Sequence, residues 1–375
     1  MNYLSQQNPK DFHGKRVLVR LDLNVPLNEA GHVDESDADR ITKSLPTLRW
    51  LQEAGAKTII ISHIGRDPKE SLRPVVRYME TLMTVGFDPE LSGDRLHDMV
   101  HNLGNGHVLI LENLRSNPGE EANDEAFAKT LADLADFYVN DAFAVSHRAH
   151  ASLVSIPKFL PHFAGLQMEQ EIEHLSKSFT PNSPSILVLG GAKFETKLPV
   201  ISKFLNIVDH IVIGGALANN FYKEMGYEIG ASLVDTTADI KSILGNEKII
   251  IPKRVIVEND KGHETKNANE LTRSDKIVDI APEGLDEYAH IFTDAQFVLW
   301  NGPMGNYENG FVDGSKKIVN LISSSNAESI VGGGDSVALI EQLDMADKFG
   351  FLSTGGGAML EYLAQGTLPG IEALN

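Results

Sequence analysis

The chain has 375 residues, 42% of them hydrophobic and 23% charged, with no cysteine and a formal net charge of −19. That composition predicts a folded globular protein of about two domains and excludes disulfides, cysteine-held zinc and a thiol nucleophile. So negative a chain is a poor general binder of nucleic acid, although a local cationic cluster on it still captures a small anion.

In chain order, the opening "MNYLSQQNPK" is polar and has no apolar core, so no signal peptide is expected. No apolar run approaches the roughly 20 residues that span a bilayer, so a cytoplasmic protein with no membrane partner is expected. "RVLVRLDL" (16–23) reads as the first buried strand. Arg20, Asp22 and Asn24 alternate at its end before Pro26 stops it. Such alternation also suits a half-exposed edge strand with no function. "RITKSLPTLRWLQEAG" has helical spacing, and "KTIIIS" (57–62) is a second strand running into "SHIGR", with His63 and Arg66. "VVRYMETLMTVG" again reads as helix. "HVLILEN" (107–113) delivers Asn113 and Arg115, "NDEAFAKTLADLAD" reads as helix, and "DFYVND" (136–141) delivers Asp141, His147, Arg148 and His150. The arginine between the two histidines of "HRAH" argues against a metal there. One arginine after a strand is ordinarily a solvated surface residue. In an open α/β sheet, however, ligands sit at the carboxyl ends of the strands. Asp22, Asn24, His63, Arg66, Asn113, Arg115 and Arg148 are therefore expected on one rim, where arginine forks suit phosphate or carboxylate.

Two prolines in "IPKFLPHFAG" end this first module, and the charged helical run Gln167 to Lys177 reads as a connector. Beyond it, "SILVLGG", "HIVIGG", "KIIIPKRVIV", "QFVLWNG", "SIVGGG" and "GFLSTGGG" repeat the alternation of strands with helices or turns. The fold class expected is α/β: two Rossmann-like lobes, each a mainly parallel sheet with helices on both faces, joined by a hinge helix. The expected domains are 1–166 and 167–365. "LVLGGAKFETK" is neither a Walker A loop nor G-x-G-x-x-G. Its Lys193 and Lys197 stand one helical turn apart, and two lysines near a helix start make best sense beside an anion. "LWNGPMGNYE" ends a strand in Asn301, with Glu308 close behind. Two glycine triplets, "VGGGDS" and "STGGGAML", each end a strand and open a helix, baring N–H groups for phosphate. Asp335 after the first triplet admits two readings: a carboxylate for Mg²⁺ carried on phosphate, or a plain N-cap.

Taken in order, "VRLDLNVPL", "SHIGR", "LILENLRSNPGEE", "YVNDAFAVSHRAHAS", "LVLGGAKFETK", "LWNGPMGNYE", "VGGGDS" and "STGGGAMLEYL" resemble the phosphoglycerate kinase family, from about Arg16 to the C-terminus. The resemblance implies reversible phosphoryl transfer between 1,3-bisphosphoglycerate and ADP, giving 3-phosphoglycerate and ATP, with Mg²⁺, in a monomer that closes about a hinge. It implies a substrate site of Asp22, Asn24, Arg40, His63, Arg66, Arg115 and Arg148 on the first domain. On the second it implies a nucleotide site of Gly191, Lys193, Lys197, Gly215, Asn301, Glu308, Gly333, Gly334, Asp335 and Ser336. Within these, Asp335 is the expected Mg²⁺ residue and Glu308 the ribose contact. Arg40, Lys197, Gly334 and Gly357 are expected at the transferring group. The tail 366–375 is expected to pack on the first domain. There are departures. Asp67 stands where the family has proline, which predicts a looser turn after Arg66. Ala144, Val145 and Ser146 replace a glycine-containing triplet, Ser336 replaces threonine, and "GGALANNF" alters the pattern around the adenine. An NAD-dependent dehydrogenase is disfavoured by the missing G-x-G-x-x-G, and a decayed scaffold by the presence of Arg40, Lys197 and Asp335.

Overall fold

The computed structural model describes residues 1–236 and 239–375, and the chain divides into two units, Met1–Glu173 with Thr367–Asn375 and His174–Gly366. In the first unit the strands are β1 (Arg16–Arg20), β2 (Lys57–Ile61), β3 (Val85–Asp88), β4 (Val108–Leu111), β5 (Phe137–Asn140) and β6 (His162–Ala164). They form one parallel sheet in the order β3-β4-β2-β1-β5-β6. Helices α1 (Asp39–Glu53), α2 (Arg73–Met79), α3 (Asp94–His101) and α4 (Glu125–Ala132) alternate with the strands. The central strands are apolar almost without interruption, as strands covered on both faces must be. Phe12, Trp50, Phe137 and Phe163 add an aromatic cluster, with Phe12 edge-on to Trp50 at 5.2 Å. Burying one such ring stabilises the fold by roughly 2–3 kcal/mol.

Two local expectations are corrected here. The helix over "VVRYMETLMTVG" ends at Met79, and Val85–Asp88 pairs with β4 as an edge strand. Val85 and Phe87 favour a pleated surface, and Gly86 lies flat against Leu109. The turn after Arg66 is also not loose. The Asp67 carboxylate accepts the Lys69 N–H at 3.0 Å, and Glu70 accepts the Asp67 N–H at 3.0 Å, so side chains close the turn that proline would have stiffened. Ser146, in the altered triplet, is buried, and its carbonyl accepts the Gly370 N–H at 2.8 Å from a short C-terminal helix, Pro369–Glu372.

Helix α5 (Leu166–Lys177) begins in the first unit and ends in the second. Its start is held by buried groups: Thr47 Oγ1 accepts the Leu166 N–H at 2.9 Å and Asp141 Oδ1 accepts the Met168 N–H at 3.0 Å. Only a glycine at 165 leaves space for the Asp141 carboxyl, since a Cβ there would lie 2.3 Å from Oδ1.

In the second unit β7 (Ser185–Leu189), β8 (His210–Ile213), β9 (Ile249–Ile250), β13 (Phe297–Asn301), β14 (Glu328–Gly332) and β15 (Phe351–Leu352) form a parallel sheet in the order β15-β14-β13-β7-β8-β9. The strands β10 (Arg254–Asn259), β11 (Gly262–Asn267) and β12 (Lys276–Ile280) form a separate antiparallel sheet. "KIIIPKRVIV" is therefore two strands in two sheets rather than one. Pro252 has no N–H to continue the ladder, and the chain changes sheet there. The helices are α6 (Phe194–Phe204), α7 (Gly215–Glu224), α8 (Ala289–Asp294), α9 (Asp313–Ser323), α10 (Gly334–Gln342) and α11 (Gly357–Gln365). Among the described residues no helix is long and apolar enough to cross a membrane.

Burial pushes the Asp141 carboxyl up to about 7, with hydrogen bonds from Thr47, Met168 and Gln167 opposing the rise. A raised carboxyl favours the folded state fully below its unfolded value near 4, and that contribution is lost as pH climbs through about 7. Denaturant unfolding of the first unit is thus expected to show stability falling between about pH 4 and pH 7 and levelling off above that. Asp141→Asn, which keeps an oxygen for Met168 and has no charge to bury, is expected to flatten that fall. An unchanged pH slope in the variant would refute the assignment.

Candidate functional site

On the first unit, the polar residues after β1 converge with those after β2, β4 and β5. Arg20 is buried, and every branch of its guanidinium is used. Nε donates to Ser152 Oγ at 3.0 Å, Nη1 donates to the Leu21 carbonyl and reaches Ser62 Oγ at 3.4 Å, and Nη2 donates to His63 Nδ1 at 3.1 Å. Ser152 hands the charge on, donating to the buried Glu120 at 2.6 Å. A guanidinium can only donate, so His63 Nδ1 accepts and the neutral ring carries its proton on Nε2. That Nε2 is buried and has no partner among the described residues. Burial holds the His63 ring down to about 2, helped by the positive charges of Arg20, Arg115, Arg148 and Arg40. His63 is thus a fixed neutral donor surrounded by four guanidinium groups.

Arg40 Nη1 donates to Asp22 Oδ2 and to the Asn24 carbonyl, both at 2.9 Å. Asn24 Oδ1 accepts the Gly65 N–H at 2.8 Å, so the "SHIGR" loop is fastened to the segment after β1. Asn113 spans the same loop, donating to the Ile64 and Glu70 carbonyls. Arg115 pairs with Glu121 at 2.9 Å and donates to the Gly65 carbonyl. Arg148 is half-buried and lowered in pKa by that burial and by Arg115. Arg66 is exposed and enters no ion pair among the described residues. The structure thus brings Asp22, Asn24, Arg40, His63, Arg115 and Arg148 together. It adds Arg20, Ser152 and Glu120, which sequence reasoning had not placed in the site. The signal was available for Arg20, an arginine inside an apolar strand. It was not for Glu120 and Ser152, which meet only through the fold. Such a concentration of donors suits an anion with several oxygens.

On the second unit, β7 runs into Gly190 and Gly191 and then α6, with Lys193 at the N-cap and Lys197 one turn in. Lys197 is only 6% exposed, yet its ammonium has no ion-pair partner among the described residues. Burial pulls it down to about 8, as does the charge of Lys193, with Asp335 opposing. Gly333 (φ 96°) is the N-cap of α10, so Asp335 lies inside the first turn and makes no capping bond. This removes the plain N-cap reading. Burial raises the Asp335 carboxyl, Glu308 adds to the rise and Lys197 offsets it. Ser336 Oγ is buried without a partner among the described residues. Gly356 and Gly357 open α11 in the same manner. Asn301, at the end of β13, is buried with its amide 3.6 Å from Met359 Sδ.

A cavity of about 300 Å³ adjoins these groups. Gly191, Gly215, Glu308 and Asp335 line it, as do Asn219 and Val278. Lys193, Lys197, Asn301, Gly333, Gly334 and Ser336 are not on its wall. The β12 part of the wall was not expected, because "KIVDI" does not alternate cleanly, although the β-branched Ile277, Val278 and Ile280 between Asp275 and Pro282 were a usable signal. Among the described residues no three His, Cys, Asp or Glu groups converge as a self-sufficient metal site.

The phosphoglycerate kinase family model matches residues 7–366. A phosphoglycerate kinase of Herpetosiphon aurantiacus is 40% identical over 395 residues, covering 99% of this chain and 100% of that one. The chain belongs to the phosphoglycerate kinase family. Among solved structures, phosphoglycerate kinase from Coxiella burnetii superposes with a TM-score of 0.85 at 33% identity, covering 99% of this chain and 98% of the other. The enzyme from Pyrococcus horikoshii gives 0.87 at 32%, covering 100% and 98%. Family membership makes the chain a phosphotransferase.

The glycines separate into two kinds. A Cβ on Gly215 (φ +59°) would lie 2.4 Å from the Gly191 nitrogen, whereas one on Gly334 or Gly357 would meet nothing within 4 Å. Gly215→Ala is therefore expected to lower Tm by several degrees. Gly334→Ala is expected to leave Tm unchanged and to weaken phosphate-ligand binding, because its open side is the approach to the helix N-terminus. Thermal unfolding of the two variants with a nucleotide titration checks both, and a destabilised Gly334→Ala would contradict the distinction.

Proposed function

We propose that the protein catalyses reversible phosphoryl transfer between 1,3-bisphosphoglycerate and ADP, giving 3-phosphoglycerate and ATP. The observation that carries this reading is Lys197: a nearly buried ammonium with no ion-pair partner among the described residues, beside Asp335 and the glycine-opened start of α10. Burying an unpaired cation is costly, and a phosphate removes the cost. The first unit would hold the phosphoglycerate on Arg40, Arg115, Arg148 and the Nε2–H of His63, with Asp22 and Asn24 positioning Arg40 and the loop and Arg66 joining from the rim. The second would hold the nucleotide in the cavity, with Glu308 toward the ribose and Lys193, Lys197, Asn301, Gly333 and Ser336 toward the phosphates.

Asp335 fits a magnesium ion that arrives with the nucleotide, since Mg²⁺ takes one or two carboxylates together with phosphate oxygens. The ion would neutralise phosphate charge when bound. The chain's own groups do the rest. The acceptor is a carboxylate or a phosphate already ionised, so no general base is required, and the work is positioning and charge neutralisation. Arg40 would sit on the acceptor carboxylate and the transferring group, Lys197 on its equatorial oxygens, and the N–H groups at Gly334 and Gly357 would complete the cradle. In-line transfer between ligands carried by different units requires closure and exclusion of water, so hinge motion belongs to this reading. So do a monomeric state, a cytoplasmic location and the absence of nucleic-acid and membrane partners, which the net charge of −19 supports for nucleic acid.

The test is a coupled assay with 3-phosphoglycerate and MgATP. Mg-dependent turnover is expected, and its absence with pure, folded protein would end the proposal. Arg40→Ala should cut kcat by on the order of 100-fold or more while leaving the KM for ATP nearly unchanged. An equal loss of nucleotide affinity would remove Arg40 from its role. Lys197 acts as its ammonium form, so kcat/KM for ATP should fall as pH rises through about 8. A flat profile to pH 9 would contradict that.

A further inference from the structure

The altered segment "GGALANNF" places two asparagines side by side on α7. Asn220 uses both ends of its amide on one neighbouring strip of chain. Its Nδ2 donates to the Asp235 carbonyl at 2.7 Å, and its Oδ1 accepts the Asp235 N–H at 3.3 Å. Asn219 uses only one end. Its Nδ2 donates to the Leu233 carbonyl at 2.9 Å, which fixes the oxygen as the other branch, because a carbonyl accepts only from N–H. Asn219 is 1% exposed, and its Oδ1 has no partner among the described residues.

Asn219 stands on the wall of the cavity described above. The wall around it is largely apolar, with Ala216, Leu233, Ile277, Val278 and Met304. Of the other polar side chains on the wall, Asp279 accepts the Ile280 and Gly314 N–H groups and Lys276 pairs with Glu258, while Glu308 and Asp335 are the carboxylates proposed above for the ribose and the metal. Among the described residues, Asn219 Oδ1 is the one buried, unpaired side-chain polar atom on this wall. A buried acceptor left unpaired costs free energy that a ligand N–H recovers. A largely apolar wall with one buried, unpaired amide acceptor suits an aromatic base that presents a donor.

We propose that Asn219 is a specificity-determining residue that accepts a hydrogen bond from the 6-amino group of a purine, so that the site selects 6-amino over 6-oxo purine nucleotides. This inference rests on the proposed nucleotide site. With the ribose toward Glu308 and the phosphates toward Lys197, the purine edge opposite the sugar is the one left to meet α7. There a 6-amino group donates, whereas a 6-oxo group would set two acceptors against each other. The amide also clamps Leu233, so a purely structural role must be told apart from recognition.

The experiment measures kcat/KM with 3-phosphoglycerate and three Mg-nucleotides: ATP, purine riboside triphosphate, which lacks any 6-substituent, and inosine triphosphate, which carries a 6-oxo group. For the wild-type protein, ATP is expected to exceed both others by roughly tenfold to a hundredfold. In Asn219→Leu, ATP should lose about that factor while purine riboside triphosphate holds or gains, so the ratio approaches one. A structural role alone would lower all three equally and would overturn the proposal. Wild-type protein that uses ATP and purine riboside triphosphate equally well, or that prefers inosine triphosphate, would overturn it too. These wild-type ratios decide the matter even if Asn219→Leu does not fold. Failure of all three nucleotides with the wild-type protein would instead defeat the underlying nucleotide reading.

Discussion

A cation taken out of water needs a counter-charge or a set of acceptors, and each unit of this protein meets that requirement differently. In the first, Arg20 is buried among Ser152, Ser62, the Leu21 carbonyl and His63, with Glu120 behind Ser152. The protein itself supplies the compensation. In the second, Lys197 is buried with no ion-pair partner among the described residues, and the charge of Asp335 partly offsets its desolvation. There the proposed function leaves the compensation to a ligand. The internally neutralised arginine braces the cluster around His63, and the uncompensated lysine is the one the proposed function gives to a ligand.

The Arg20 arrangement also determines chemistry one residue away. Because a guanidinium has no acceptor, its contact with His63 Nδ1 selects the tautomer with the proton on Nε2. Burial, helped by four nearby positive charges, then keeps the ring from gaining a second proton. A residue type usually associated with proton transfer becomes a neutral hydrogen-bond donor of fixed orientation. That suits a reaction whose demands are placement and charge, since no proton need be removed from the acceptor.

The same economy governs the helix starts. Glycine at 333 and 356 takes backbone angles that open α10 and α11, and the following Gly334 and Gly357 leave the N–H ends uncovered. Around Gly215 and Gly191 the reason for glycine is different, because backbone approaches backbone too closely for a Cβ. Identical residues in similar motifs thus serve close packing in one place and leave a helix start open in another. Buried asparagines divide likewise: Asn220 is fully paired, whereas Asn219 keeps an acceptor open on the cavity wall.

Much of this was legible in the chain alone. Apolar runs of strand length ending in glycine, arginine or asparagine are local signals, and they determined the parallel α/β class and the residues at the strand ends. Where the signal was mixed, only the fold decided. Val85–Asp88 left the helix for the edge of a sheet because a partner strand was there to receive it, and Pro252 sent one apolar run into two sheets. Asp335 was an N-cap or a ligand residue until its place within the first turn of α10 was known. The sequence by itself determined which residue types would stand at the strand ends, because periodicity and turn chemistry act between neighbours along the chain. Tertiary structure alone decided which of their polar atoms are paired. The partners of Arg20, His63, Lys197 and Asn219, present or absent, are set by segments that only folding brings together.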